Sequence, residues 1–92
     1  MKRPKPPEKL CRELEEVAGR LFAEVRREQG GFRTGSCILK GRRVLILNSL
    51  QPVDERIAAL AREIARCDIE DFYLKPAIRA EVERYSLSLI HI

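Results

Sequence analysis

The stretch SCILKGRRVLILN, residues 36–48, decides how the rest of the chain folds. SCILK and RVLILN are strand-like runs that flank Lys40, Gly41 and Arg42. Gly41 can take positive φ without steric cost, so the segment predicts a β-hairpin. Val44, Leu45, Ile46 and Leu47 are apolar without alternation, which calls for cover on both faces of the second strand. An isolated two-stranded hairpin is marginal in water. Packing between helices, or a third strand from the segment around Phe32 or from another chain, must supply the cover.

Helical periodicity lies on either side. From Glu8 onward, Leu10, Cys11, Leu14, Val17, Ala18, Leu21, Phe22 and Val25 recur at spacings of three and four, predicting one helix up to Gly30-Gly31. Arg26 and Arg27 would occupy its last turn, where the helix dipole favours cations. Beyond the hairpin, Pro52 followed by Asp54 and Glu55 opens a second helix, with Ile57, Leu60, Ile64 and Cys67 on its apolar side. DIEDFYL, residues 68–74, reads as a short turn that packs Ile69, Phe72 and Leu74. Pro76 then starts a third helix with Ile78, Val82 and Tyr85 on one side. The predicted architecture is α+β: helix, β-hairpin, helix, short turn, helix, in a single small domain over residues 8–86.

The 92 residues are 45% hydrophobic and 35% charged, as in a globular chain rather than a disordered one. No apolar run approaches the roughly 20 residues of a membrane span, and no signal-peptide core follows the basic start, so a cytoplasmic protein without membrane contact is expected. The formal charge of +4 is concentrated in the opening MKRPKPP, where Lys2, Arg3 and Lys5 meet no acid. Residues 1–7 are therefore read as a flexible basic tail on a body that is nearly neutral. Cys11, Cys37 and Cys67 form no CxxC pair and are expected to be free thiols that bind no metal.

The last six residues, LSLIHI, match one reading frame of the transposon end sequence used in DNA sequencing libraries. Residues 87–92 are accordingly expected to be non-native, with the natural chain continuing beyond about Tyr85 or Ser86. On that reading His91 has no function, and no imidazole remains for general-base or metal chemistry. No catalytic residue, metal ligand or cofactor is predicted.

An apolar strand ending in Asn48, a short linker containing Pro52, and the helical ERIAALAREIAR resemble the ImmA/IrrE-type metallopeptidases over residues 38–66. Their zinc helix reads roughly qrftlAHElgH and follows a similar strand; a preceding helix and hairpin agree as well. Leu60, Ala61, Glu63 and Ile64 fit that helix. Arg62 and Arg66 stand where the resemblance implies two histidines one turn apart, and a guanidinium offers no lone pair to a metal. Glu63 fits the general-base position but would have no metal-bound water to activate. The resemblance thus implies a non-catalytic relative. Read without it, a helical wheel centred on Ile64 puts Arg62 and Arg66 about 160° from the buried face, on an ordinary solvent-exposed surface.

These readings point to a small non-enzymatic interaction or regulatory module. The expected partner is a protein, or a second copy of the chain, docked on the hairpin strand Val44, Leu45, Ile46 and Leu47 as an exposed apolar edge. The alternative is nucleic-acid association through the basic tail and the arginines, disfavoured by the scarcity of aromatic residues for base stacking.

Overall fold

A computed structural model describes the backbone of residues 6–90 and the side chains of residues 6–86. The tail residues 1–5, the side chains of 87–90, and residues 91 and 92 lie outside that description; His91 and most of the basic tail belong to them. Three helices and a three-stranded mixed sheet form one α+β domain.

Helix α1 spans Pro7–Leu21. Pro6 is its N-cap and Pro7 the first helical residue, so the helix begins within the segment assigned to the tail. Proline is tolerated there because its missing N–H would have no intrahelical partner. Cys11, Leu14, Val17 and Ala18 form the buried stripe.

The first helix does not run to Gly30. It stops at Leu21, Phe22 turns extended (φ −97°, ψ 152°), and Glu24–Glu28 form strand β1. Two gains outweigh the helical spacing of EVRRE. Phe22 drops into the core at 5% exposure. The β1 backbone also pairs with a strand that would otherwise keep a bare edge, from Glu24 beside Val44 to Glu28 beside Asn48. The third strand that the hairpin requires is therefore β1, not the Phe32 segment.

Strands β2 (Gly35–Leu39) and β3 (Arg42–Asn48) form the predicted hairpin. Its turn is the two-residue Lys40-Gly41, both at positive φ (51° and 76°), as a type I′ connection requires. The strand order is β1-β3-β2, with β1 parallel and β2 antiparallel to β3. The apolar strand is thus central, in keeping with its unbroken hydrophobic run. Leu45 and Leu47 are fully buried in the helix-facing core. Val44 and Ile46 alternate onto the opposite face, where Glu24, Arg26, Leu39 and Arg42 surround Val44.

Helix α2 (Val53–Ala65) lies between α1 and α3 and buries Ile57, Leu60 and Ile64. The link to α3 packs Leu74 into the core, with Ile69 and Phe72 against it. Helix α3 (Pro76–Ile90) contributes Ile78 and Val82. A polar node ties the end of β3 to the loop ahead of β2 and to the linker before α2. The Asn48 amide nitrogen donates to the carbonyls of Gly30 (2.8 Å) and Phe32 (2.5 Å), and its oxygen accepts the Leu50 N–H (3.1 Å). Thr34 Oγ1 accepts the Asn48 N–H, while its hydroxyl and N–H both donate to Gln51 Oε1. This node fixes where the chain enters β2.

Candidate functional site

The degenerate zinc-helix positions fall on the C-terminal half of α2. Arg62 is exposed, its guanidinium 5.6 Å from the centre of the Tyr85 ring on α3. Arg66 is exposed at the C-cap, one residue past the last helical position. Glu63 lies between them but faces inward at 8% exposure. Its carboxylate accepts a 2.6 Å hydrogen bond from the Ser36 hydroxyl on β2 and lies 3.8 Å from the Arg66 guanidinium. Sequence reasoning missed the contact between Ser36 and Glu63, because 27 residues separate them and no local pattern links them. Its effect is to hold β2 against α2.

Beyond Glu63, Cys67 Sγ receives an Arg43 N–H at 3.7 Å, and the same guanidinium covers the Phe22 ring at 4.9 Å. Burial raises the Cys67 thiol above its ordinary value, and the neighbouring arginine only partly offsets this. Cys11 is raised by burial as well. Neither environment favours a thiolate. Among the described residues no group of three or more His, Cys, Asp or Glu is placed to hold a metal ion.

The proposed docking strand needs correction. Val44, Leu45, Ile46 and Leu47 belong to the central strand, with β1 on one side and β2 on the other. A strand paired on both sides has no backbone groups left for a partner, and Val44, Leu45 and Leu47 are at most 2% exposed. The sheet has two outer edges, β1, whose Glu24, Arg26, Arg27 and Glu28 guard it with charge, and β2. In a hairpin closed by a two-residue turn, Leu39 and Arg42 form a hydrogen-bonded pair, and hydrogen-bonded pairs alternate from there. Cys37 and Gly35 then also bond to β3, whereas the N–H and C=O of Ser36 and Ile38 point away from the sheet. Ile38 is 63% exposed and Leu39 40%. The strand carries no charge and no proline, the usual guards of an edge.

Just ahead of this strand, between the residues that enter β2 and helix α2, lies a groove of about 330 Å³. The segment entering β2 provides Arg33 and Thr34, and Gln51 closes one end. Helix α2 provides the opposite wall with Glu55, Ala59 and Arg62.

Fold and site together define a small α+β domain whose mixed sheet leaves one unguarded apolar edge beside a helix. Compared with protein-family models, curated proteins and solved structures, the chain matches none.

Proposed function

We propose that this protein is a non-catalytic interaction module that captures an extended polypeptide segment as a fourth strand on β2. The observation that carries the reading is the charge-free edge itself, with the backbone groups of Ser36 and Ile38 directed outward and Ile38 and Leu39 exposed. Added strands gain affinity from main-chain hydrogen bonds and selectivity from alternate side chains. The order helix, strands, proline-containing linker, helix agrees with the resemblance to ImmA/IrrE-type metallopeptidases. With Arg62 and Arg66 at the ligand positions and Glu63 engaged by Ser36, a relative that holds peptides without cutting them is the reading that resemblance supports.

The test is selection of random peptides of about seven residues on the folded protein, followed by binding to two proline variants. Ile38→Pro deletes an outward-pointing N–H and leaves the β2–β3 ladder whole, as proline on an edge strand allows. It is expected to abolish binding of the selected peptides without unfolding the domain. N-methylation of alternate peptide residues should do the same. Cys37→Pro, which removes a ladder bond, should instead destabilise the fold. Selected peptides that bind Ile38→Pro as tightly as the wild type refute edge capture.

A further inference from the structure

We propose that the captured segment is acidic, its carboxylates recognised by Arg33 and Arg62 from the two walls of the groove just ahead of β2. The inference rests on the edge-capture reading and names the chemistry of the partner.

A strand added to β2 would lie about 4.8 Å beyond it, and its end beside Gly35 would reach the groove that Arg33 and Thr34 line. Its alternate side chains would share the sheet face of Ser36 and Ile38, and so would point toward α2. There they would meet Ala59 and Arg62 on one side and Arg33 on the other. Among the described residues neither arginine has a carboxylate within ion-pair distance: Arg62 rests on the Tyr85 ring, and no acid is paired with Arg33. Of the acids nearby, Glu63 is paired, and Glu55, which also lines the groove, keeps its charge and leaves two guanidiniums against one carboxylate there. Glu55 Oε1 accepts a 3.4 Å hydrogen bond from Gln51 Nε2, and Glu63 is held by Ser36 and Arg66. A docking segment would therefore find two guanidiniums, each able to grip a carboxylate through paired N–H donors.

The groove also selects for length. Ala58 and Ala59, with their short side chains, line the groove together with both arginines and leave room for a glutamate side chain. A lysine at the same position would bring its ammonium against both arginines.

The test compares three labelled, end-blocked peptides of about seven residues, alternating threonine with glutamate, glutamine or lysine. Fluorescence polarisation gives the affinities at low salt, and amide shifts of Ser36 and Ile38 report where each peptide sits. The glutamate peptide is expected to bind about tenfold tighter than the glutamine peptide, with the lysine peptide weakest. Arg33→Ala and Arg62→Ala should each erode that preference about three- to fivefold, the range of a single exposed ion pair. Both should leave the glutamine peptide unaffected, as should Arg12→Ala on α1 for all three. Where Arg62→Ala loosens α3, Arg62→Gln with an unchanged melting curve takes its place. Glutamine and glutamate peptides of equal affinity, both shifting Ser36 and Ile38, would overturn acid recognition while leaving edge capture standing. Three peptides that leave those amides unmoved would overturn both. An oligothymidylate that displaces the glutamate peptide would show that the arginines serve nucleic acid, which also overturns the proposal.

Discussion

Replacing Asn48 by alanine removes a single amide and orphans three backbone groups. The residue is 3% exposed and its three side-chain bonds are part-buried, so water can replace only some of what is lost at the Gly30 and Phe32 carbonyls and the Leu50 N–H. At roughly 0.5–1.5 kcal/mol net per hydrogen bond, the variant should lose about 2–4 kcal/mol. A domain of 92 residues has a total of roughly 5–14 kcal/mol, so the loss is large but survivable. With a urea m-value of about 1–1.5 kcal/mol/M, the unfolding midpoint should fall by roughly 2 M. Asn48→Asp sharpens the test. Its carboxylate still accepts the Leu50 N–H but turns an acceptor toward two carbonyl oxygens, so it should be at least as unstable at pH 7. The two carbonyl oxygens would raise the folded-state pKa of that carboxyl; protonating it restores one donor, so part of the loss should return as the pH falls toward the unfolded value of about 4. A midpoint lowered by less than the equivalent of about 0.5 kcal/mol, or an aspartate variant as stable as the wild type, would refute the polar node as the device that positions β2.

Phe22→Ala should cost about 3–5 kcal/mol in the same denaturation assay, because the ring is a buried core element at the point where α1 gives way to β1. Burial holds the Cys11 thiol above its ordinary value, so the folded state keeps a proton that the unfolded chain releases above about pH 8.5. Stability from this group is complete below that pH and declines as the pH rises through it; Cys11→Ala should flatten the decline in urea midpoints measured between about pH 7 and pH 10. Protein purified without a histidine tag should carry far less than one zinc per chain by elemental analysis, given arginine at both helix positions that the resemblance assigns to ligands.

Most elements were legible because their signals are local. Gly41 marked the hairpin turn, Pro52 and Pro76 marked the approach to α2 and α3, and Ile57, Leu60 and Ile64 marked a buried helical face. The end of α1 was not legible. Glu24, Val25, Arg26, Arg27 and Glu28 carry one apolar residue and helix-compatible charges, so only pairing with β3 makes them a strand. The unbroken run Val44–Leu47 did demand a neighbour on each side, and counting its two free edges would have predicted a central strand. The exposed edge was consequently assigned one strand too far along the chain. At the candidate site, the exposure of Arg62 and Arg66 followed from helical geometry. The burial of Glu63 did not, since it depends on Ser36 arriving from a different element. The partnership of Thr34, Asn48 and Gln51 is likewise set by tertiary structure alone.

The central claim is that the outward backbone groups of β2 are open in the free protein and closed by a captured strand. Amide hydrogen exchange at Ser36 and Ile38, with Cys37 and Leu39 as internal references, tests it most directly. In the free protein Ser36 and Ile38 should exchange quickly, while Cys37 and Leu39 are protected by their bonds to β3. Saturation with the tightest selected peptide should slow Ser36 and Ile38 at least about tenfold and leave the other two unchanged. Protection of Ser36 and Ile38 that is already present in the free protein and rises with concentration would show that a second copy fills the edge instead. Exchange at those two amides that stays fast in the saturated complex would contradict the account outright.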